Sequence, residues 1–423
     1  MSAMPFSNNE ASTRGPINAQ RVKALFPVFR NNPLTRNLSY LDNAATSQKP
    51  EQVMQAMDDA MRLFHSPVHR GFYPLAEQTT ELYEQARERL KRFISAETQA
   101  SVIFAGSATD GINQVAQGFL LPRLEPGQNV WVTRMEHHAN YLPWQRVCEK
   151  SGANFRIIEL TDKGELDLDR HPDIFSNSTA MIALTQTSNV MGVTNDVKAI
   201  CERAKQKNIP TLIDAAQSVV SNTINVRELG CDFLVFSAHK MFGPNGIGLL
   251  YIAPEQLNEV QPLRLGGGMV DFVADSITDT IWSEAPHRFE AGSPNFVGAI
   301  GFAAACDFVE SLGQANIKAH IGELAIYLYQ QLSHFPNLHL VSSAKHLSSG
   351  IVSFYHDVIH AHDLAQIMGD SGVAVRAGHH CAQPLLRHLG VSSTLRISIS
   401  VYNTVDDINA AVNALAHAEE VFA

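Results

Sequence analysis

The sequence lacks long hydrophobic runs, paired cysteines and an apolar N-terminal segment, and each absence excludes a class of protein. No uninterrupted apolar run approaches the ~20 residues that a helix needs to cross a bilayer. The first twenty residues hold no apolar stretch of the signal-peptide kind. The cysteines are odd in number and have no CxxC spacing, which excludes a disulfide framework; they are Cys148, Cys201, Cys231, Cys306 and Cys381. We therefore expect a soluble cytoplasmic protein that has no membrane partner.

Positive charge is also scarce, and this limits the possible partners. The chain has 32 Lys and Arg against 42 Asp and Glu, which gives a formal net charge of −10. Because binding to nucleic acid needs a basic face, we expect no nucleic-acid partner. The remaining composition is ordinary for a globular protein, with 45% hydrophobic and 17% charged residues over 423 positions. This length is enough for two or three domains with well-formed cores.

From Tyr40 onward, strand-like and helix-like segments alternate, which predicts an α/β fold with a mostly parallel sheet. Apolar, β-branched runs predict strands that are buried on both faces at 102–104, 130–133, 181–184, 211–213 and 233–236. Helical patterns lie between them at 111–120, 141–150 and 196–207. We expect these elements to form a large domain that spans residues 38–307.

After about Asp307 the pattern becomes that of a smaller α+β domain. A long amphipathic helix is predicted at 317–335, and shorter helices at 361–370 and 404–421. Strands are predicted at 338–342, 350–355, 373–376 and 394–400. We expect residues 308–423 to form this domain together with the N-terminal segment 1–37.

Small, polar or ionisable residues follow each of the five predicted strands of the large domain. In open parallel sheets, ligands bind outside the carboxyl ends of the strands. The segments that reach this edge are GSAT at 106–109, EHHAN at 136–140, TSN at 187–189, DAAQ at 214–217 and SAHK at 237–240. Such repetition is more than chance would give, so we expect a binding site at this edge.

The residue types at this edge predict pyridoxal phosphate as the cofactor. The cofactor needs a lysine for its Schiff base, a carboxylate for its pyridine nitrogen and a seat for its phosphate. Lys240, Asp214 and the helix start at 106–109 supply these three groups. His137 could stack on the flat ring, and Gln217 could hydrogen-bond to the phenolic oxygen of the ring.

Each of these residues also has a plainer structural interpretation. The segment 106–109 and Asp214 could be helix N-caps, and Lys240 could be a solvated surface lysine. The common position of all three at strand ends favours the cofactor. The pair His137–His138 could indicate a metal, but adjacent strand residues point to opposite faces and no zinc-type spacing is present. We therefore expect no metal site here.

With these residues in view, the chain resembles fold-type I, class V aminotransferase-like enzymes that use pyridoxal phosphate. Further motifs narrow the resemblance to group II cysteine desulfurases of the Suf/Csd type, and the Csd-type enzymes are the most similar. The motifs are YLDNAAT at 40–46, VHRG at 68–71, EAGSPN at 290–295 and RAGHHCAQP at 376–384. The resemblance covers about residues 20–420 and implies a seven-stranded, mostly parallel sheet in the large domain, beside the smaller α+β domain.

The resemblance implies a role for each matching residue. Lys240 would carry the cofactor and move the substrate Cα proton, Asp214 would pair with the pyridine nitrogen, and His137 would stack on the ring. Gln217 would contact the ring oxygen, and Ser293 would reach the phosphate bound in a partner subunit of a homodimer. The residues that would hold the phosphate within the chain are Ala108 (through its backbone), Thr109, Ser237 and His239. Asn189 and Arg396 would fix the substrate carboxylate, for which a planar guanidinium is well suited.

Cys381 would be the nucleophile that takes sulfur from L-cysteine as a persulfide and leaves L-alanine. A free cysteine is more often a small buried hydrophobic residue. The neighbouring residues Arg376, His379 and His380 predict an electropositive environment that favours the thiolate. We expect Cys381 to be the most reactive of the five thiols, and the other four to be structural. Some positions depart from the commonest motifs by small or conservative changes, namely Asp110, Ala215, Ala238 and Ser293.

Two other functions are considered beside this one. A kynureninase, epimerase or aminotransferase would share the cofactor residues but would not need Cys381. A scaffold protein of sulfur transfer would not need Lys240, Asp214 or Arg396 intact. The resemblance further implies activity on L-selenocysteine and cysteine sulfinate, and a sulfur-acceptor protein of the SufE/CsdE type as partner. The short segment around Cys381 predicts slow transfer without such a partner.

Overall fold

The computed structural model describes residues 15–276 and 279–423. The α-helices of this part are Ala19–Lys23 (α1), Pro27–Asn31 (α2), Glu51–Leu63 (α3), Pro74–Phe93 (α4), Ala108–Val115 (α5), Leu142–Ser151 (α6), Val197–Lys205 (α7), Val226–Leu229 (α8), Phe296–Leu312 (α9), Gln314–Leu332 (α10), Ala361–Asp370 (α11), Gln383–His388 (α12) and Val405–Phe422 (α13). The strands are Ser39–Tyr40 (β1), Ser101–Ala105 (β2), Asn129–Thr133 (β3), Asn154–Ile158 (β4), Thr179–Thr185 (β5), Thr211–Asp214 (β6), Phe233–Ser237 (β7), Gly248–Ile252 (β8), Val270–Phe272 (β9), Ile281–Trp282 (β10), Leu338–Leu340 (β11), Ile351–His356 (β12), Val373–Ala374 (β13), Arg376–Gly378 (β14) and Thr394–Ser398 (β15).

A seven-stranded sheet with the order β2-β8-β7-β6-β5-β3-β4 forms the centre of the described chain. Strand β8 runs antiparallel to both of its neighbours, and the other adjacent pairs are parallel. Every residue of β3, β6, β7 and β8 is buried, because helices cover both faces. The α/β class, the seven-stranded sheet and all five strands predicted from apolar runs are confirmed.

The helices that flank this sheet begin and end at residues suited to those positions. The Ser107 side chain accepts the backbone N–H of Asp110 at the start of α5, and Gly152 ends α6 in the left-handed region with φ of 75°. Helix α9 packs closely against α3 at Gly301, where an added Cβ would lie 2.7 Å from Cγ of Met57. A larger residue here would require the Met57 side chain to shift, so glycine allows the close approach.

A second, antiparallel sheet with the order β11-β12-β15-β14 lies in the C-terminal part. The segment predicted as a single strand at 373–376 forms two short strands, because β13 pairs with β1 whereas β14 pairs with β15. The predicted domain boundary at 307 lies inside the continuous helix α9, and β1 pairs with the C-terminal part. The two-domain division otherwise stays a prediction.

Among the described residues, no single helix has the length and apolar character to cross a membrane. Helices α9 and α10, which meet at a bend of 73°, pass that test only when they are taken together. Thirteen of the seventeen residues of α9 are buried against the rest of the chain. Its hydrophobic character is therefore used in core packing.

Candidate active site

A cavity of about 560 Å³ opens at the carboxyl edge of the seven-stranded sheet. Side chains from the sheet edge and from the C-terminal part line it together. Ten of the twelve predicted site residues are among them: Ala108, Thr109, His137, Asn189, Asp214, Ser237, His239, Lys240, Cys381 and Arg396. Residues that lie far apart in the sequence therefore converge on one cavity.

Asp214 and Lys240 supply opposite charges from neighbouring strands. Asp214 is the last residue of β6 and is buried, and its carboxylate accepts the backbone N–H of Ala216 at 2.9 Å. Burial raises the pKa of Asp214, and the charge of Lys240 opposes that rise. Lys240 follows β7 in a 3₁₀ turn, and burial lowers its pKa against the opposing effect of Asp214. A lysine with a lowered pKa is a better nucleophile than a solvated one.

His137 presents a neutral ring to the cavity. Its Nδ1 accepts the backbone N–H of Ala139 at 3.0 Å, so the proton of the neutral ring is on Nε2. Burial, and then the charge of Lys240, lower the pKa of His137 to about 3. The ring is therefore uncharged at neutral pH. His138 instead lies beside His379, with ring centroids 5.7 Å apart.

Glu136 is a buried residue behind the cavity wall, and sequence reasoning left it without a role. Its carboxyl group accepts from the Thr133 hydroxyl at 2.6 Å, the Thr185 backbone N–H at 2.8 Å and the Asn140 amide at 2.7 Å. Burial raises its pKa to about 8, although these hydrogen bonds act in the other direction. Glu136 therefore ties the loop that carries His137 to strands β3 and β5. The feature of the sequence that could have pointed to Glu136 is its position directly before His137.

The predicted phosphate seat lies where α5 begins beside the end of β7. The backbone N–H of Ala108 donates to the Ser237 hydroxyl at 2.8 Å, and both residues line the cavity. Thr109, Ser237 and His239 remain on the cavity wall. Burial, followed by the charges of Lys240 and Lys49, lowers the pKa of His239 to about 4.

Arg396 is a buried cation whose guanidinium is only partly hydrogen-bonded. Its Nη1 donates to the carbonyl oxygen of Asn189 at 2.9 Å, and its Nη2 lies 3.4 Å from a carboxylate oxygen of Asp42. Within the described residues, its buried Nε has no hydrogen-bond partner. Burial lowers its pKa to about 10, so it stays charged at neutral pH. A substrate carboxylate would satisfy this donor, which the neighbouring protein groups leave unmet.

Asp42 and Asn189 hold the Arg396 side of the cavity in place. Asp42 also receives Arg376, with its Nε at 3.0 Å and its Nη2 at 2.8 Å. The amide of Asn189 donates to the carbonyl oxygen of His380 at 2.8 Å. Asn189 therefore joins Arg396 to the segment that carries Cys381, and its contact with the substrate stays a prediction. Asp42 was quoted only as part of a motif, and its place beside two arginines depends on the tertiary structure.

Cys381 is the only exposed cysteine of the five. It lies in a tight loop between β14 and α12, where His380 and Cys381 both take left-handed backbone angles, with φ of 49° and 53°. Its N–H donates to Nδ1 of His379 at 3.1 Å, and its carbonyl oxygen accepts the His138 N–H at 2.6 Å. Two successive left-handed residues outside glycine are costly, so the surrounding contacts hold this loop in one shape.

The electropositive environment predicted for Cys381 arises differently from expectation. His380 is buried, and burial followed by the charge of Arg396 lowers its pKa to about 3, so it is neutral at physiological pH. The positive groups that interact with the Cys381 thiol are Lys240, Arg376 and Arg396. The other four cysteines are buried, and burial raises the pKa of each thiol. These observations support the prediction that those four are structural.

Gln217 and Ser293 lie outside this cavity. The Gln217 amide donates to the carbonyl oxygen of Ala44 at 2.9 Å, and its side chain lines a small adjoining space that Lys240 also borders. Ser293 lines a separate cavity of about 620 Å³ with His69. Within one chain, Ser293 therefore does not line the cavity that contains Lys240.

A sequence model of the family described as aminotransferase class-V matches residues 39–411. The chain belongs to this family. It is 42% identical over 406 residues to a probable cysteine desulfurase of Halalkalibacterium halodurans. The alignment covers 96% of this chain and 99% of the relative. It is 39% identical to a cysteine desulfurase of Salmonella newport, over 94% of this chain and 97% of that one.

Solved structures agree with the assignment of the chain to this family. The cysteine desulfurase CsdA of Escherichia coli, solved as its S-sulfonic acid form, superposes with a TM-score of 0.88 at 34% identity. That comparison covers 96% of this chain and all of the other. An apo cysteine desulfurase of Thermococcus onnurineus gives a TM-score of 0.87 at 34% identity, over 93% and 98% of the two chains. The predicted resemblance and fold are confirmed.

Members of this family use pyridoxal phosphate, and it is therefore the cofactor of this protein, as the sequence predicted. The residues present fit it. Lys240 and the buried Asp214 border one cavity, as a Schiff base and a protonated pyridine nitrogen require. His137 offers a neutral ring in the same cavity, and Ser237, His239 and Thr109 offer polar groups for the phosphate.

Proposed function

We propose that the chain is a cysteine desulfurase that converts L-cysteine to L-alanine and carries the sulfur as a persulfide on Cys381. One observation carries the proposal: the exposed Cys381 borders the same cavity as Lys240, Asp214 and the buried cation Arg396. The printed names of the relatives support it. A kynureninase, epimerase or aminotransferase has no use for an exposed thiol at this position.

Substrate binding rests on Arg396. Its guanidinium offers charge-assisted hydrogen bonds to the carboxylate of L-cysteine, and Asn189 lies beside it on the same cavity. Asp42 keeps the guanidinium oriented from behind. The substrate amino group then lies on the side of Lys240, because that residue borders the same cavity.

Proton transfer and sulfur transfer fall to different residues. Pyridoxal phosphate supplies an electron sink for the bonds of the substrate Cα when it is bound. Lys240, whose pKa burial lowers, removes the Cα proton. The Cys381 thiolate attacks the substrate sulfur, so that an S–S bond forms as the C–S bond breaks. The electron pair of the C–S bond stays with the substrate carbon, which takes up a proton and becomes the methyl group of alanine, and a proton also returns to Cα.

Further parts of the proposal concern substrates and partners. L-Selenocysteine and cysteine sulfinate would bind through the same carboxylate contact with Arg396. The persulfide on Cys381 passes to an acceptor protein of the SufE/CsdE type, since the tight loop at Cys381 leaves little reach for a distant acceptor. The reaction takes place in the cytoplasm.

The chain acts as a homodimer in this proposal. Ser293 lies at the separate 620 Å³ cavity and would approach the phosphate of a second copy. Exposed apolar side chains near this face support an interface, since Phe72 is fully exposed and Tyr73 and Leu75 are partly exposed. Light scattering of the purified protein should give twice the mass of the chain, and a monomer would refute this part.

The decisive experiment measures alanine released from L-cysteine by the purified yellow holoenzyme in the presence of a reducing thiol. More than one alanine per subunit establishes the desulfurase. A spectral change without alanine means that cysteine binds but keeps its sulfur, and this refutes the proposal. Repeating the assay with Cys381→Ala and with the buried Cys148→Ala shows whether the exposed thiol is the one required.

A further inference from the structure

Lys49 is a charged residue near the Lys240 turn that the proposed mechanism does not use. It lies three residues after the motif at 40–46 and is half-buried, but it does not line the cavity that holds Lys240. Burial lowers the pKa of Lys49 to about 8, and no acidic group of the described chain opposes that effect. Because buried charges are normally paired, a half-buried lysine without a carboxylate partner needs another explanation.

The hydrogen bonds of Lys49 lead to the cofactor side of the molecule. Its Nζ donates to the carbonyl oxygen of Ser47, to the carbonyl oxygen of His239 at 3.2 Å and to the hydroxyl of Thr46 at 3.5 Å. An ammonium group has three N–H donors, so each of them has an acceptor here. At neutral pH, Lys49 is therefore a cation that points at the turn carrying His239 and Lys240.

The carbonyl oxygen of His239 is crowded with donors. Besides Lys49, it receives the backbone N–H of Ser47 at 3.0 Å and the Ser47 hydroxyl at 3.1 Å. The Thr46 hydroxyl also lies 3.2 Å away, but a carbonyl oxygen has only two lone pairs. Nδ1 of His239 is a second acceptor within reach of that hydroxyl, at 3.3 Å. Since Thr46 accepts from Lys49, its own proton is directed to this ring nitrogen.

This arrangement fixes the tautomer of the His239 ring. Burial, followed by the charges of Lys240 and Lys49, lowers the pKa of His239 to about 4, so the ring is neutral and has one N–H at neutral pH. With Nδ1 accepting from Thr46, that proton is on Nε2. His239 lines the cavity, and its N–H is available to an anion there.

We propose that Lys49 is a positioning residue for the cofactor phosphate, and that it acts through Thr46 to keep the Nε2 proton of His239 available as a donor. The lysine does not touch the phosphate, because it lies outside the cavity. Its positive charge behind the ring also favours an anion in the cavity. The inference rests on the predicted contact of His239 with the phosphate and does not depend on the desulfurase activity.

The test compares a cofactor that has a phosphate group with one that lacks it. The full-length protein is freed of cofactor by dialysis against hydroxylamine and is then titrated with pyridoxal phosphate or with pyridoxal. The absorbance of the bound cofactor gives each dissociation constant.

Lys49→Met and Thr46→Val should both weaken the binding of pyridoxal phosphate by at least about fivefold, as loss of a hydrogen bond predicts. Binding of pyridoxal should stay within about twofold of the parent protein, because the lost contact serves only the phosphate. Thr46→Ser keeps the hydroxyl and should bind pyridoxal phosphate like the parent. Lys198→Met, which removes an exposed helix lysine, is the matched control for Lys49→Met and should change neither constant.

Three results would overturn the proposal. An equal loss for pyridoxal phosphate and pyridoxal would show that Lys49 only supports the turn at Lys240. Unchanged binding of pyridoxal phosphate in Lys49→Met and Thr46→Val would remove the role altogether. If Lys49→Met does not fold, the Thr46 pair decides, because Thr46→Ser binding as weakly as Thr46→Val would contradict the contact through the hydroxyl.

His239→Ala separates the role of Lys49 from the contact on which it rests. Full affinity of this variant for pyridoxal phosphate would show that His239 does not hold the phosphate, and the proposal would fail with it. A loss in His239→Ala without a loss in Lys49→Met would keep the phosphate contact and refute only the role of Lys49. Alanine formation enters none of these readouts, so they stand apart from the test of the desulfurase activity.

Discussion

The Lys240 region and the Cys381 region face the same cavity but are built in opposite ways. Asp214 ends strand β6 and Lys240 follows the adjacent strand β7 of the seven-stranded sheet. Burial raises the pKa of Asp214 and lowers that of Lys240. Cys381 is exposed on a short loop of the C-terminal part, with strained left-handed backbone at two successive residues. Backbone hydrogen bonds to His138 and His379 hold that loop.

This difference fits two kinds of chemistry. Groups that tune a cofactor work best in a dry, rigid place where charges act strongly. A thiol that must give its sulfur to another molecule needs contact with solvent. Asn189 and Arg396 link the two regions, since Asn189 bonds to the carbonyl oxygen of His380 and receives Arg396. The following predictions test how separate the two regions are.

Lys240→Ala should have the largest effect, because this side chain both holds the cofactor and moves a proton. We expect loss of the yellow colour and a fall in alanine formation of at least about 10³-fold. The assay is absorbance of the purified protein followed by alanine release. Lys198→Ala, which removes an exposed helix lysine, should keep both colour and activity. A yellow, active Lys240→Ala protein would contradict the assignment.

Cys381→Ala should separate the two regions completely. The buried region is untouched, so the protein stays yellow and still changes its spectrum when L-cysteine is added. Alanine formation from L-cysteine should nevertheless be lost, because no thiol remains to take the sulfur. Spectra and alanine assays on the same sample test both expectations, the retained colour with its spectral change and the loss of alanine formation. Full alanine formation by Cys381→Ala would contradict the mechanism. Loss of the yellow colour would show that the Cys381 region affects cofactor binding in the Lys240 region.

Arg396→Lys should weaken the link between the regions. A hydrogen bond to a charged group contributes about 1.5–3 kcal/mol, so we expect kcat/KM to fall by about 10- to 100-fold. Most of the change should appear in KM, because lysine keeps the charge but loses the planar fork. Arg146→Lys, at an exposed position, is the control and should leave kcat/KM unchanged. An unchanged KM in Arg396→Lys would place the carboxylate elsewhere.

The smallest expected effect is a change in how stability depends on pH. Burial raises the pKa of Glu136 to about 8 from an ordinary value of 4.5, so between these pH values the folded state binds more protons than the unfolded state. Its contribution to stability therefore falls as pH rises from about 4.5 to about 8. Glu136→Gln removes this titration, so its free energy of unfolding should decline less steeply over that range. Denaturant unfolding at several pH values compares the slopes, and equal slopes would show that Glu136 does not titrate there.

Sequence patterns predicted the buried region better than the exposed one. The apolar runs before Asp214 and Ser237 marked strands, and parallel strands bring their carboxyl ends to one edge, so those residues could be placed together. The positive charge near Cys381 was assigned partly to His380, which is buried and neutral. The contact of the Ala108 amide with phosphate stays a prediction; in this structure the amide donates to the Ser237 hydroxyl. His380 precedes Cys381 in the sequence, but its burial is set by elements distant in the sequence, so its charge state could not be predicted from the motif.

The sequence by itself determined the α/β class, the strand-end residues and the family, because hydrophobic periodicity and motif spacing are local properties. Only the tertiary structure decided which groups meet. The pairing of Asp42 with Arg376 and Arg396 joins residues more than 300 positions apart. The burial that shifts the pKa of Glu136 and His380 depends on elements packed from several directions. Contacts of this kind are set by the packing of the whole chain, and no local pattern records them.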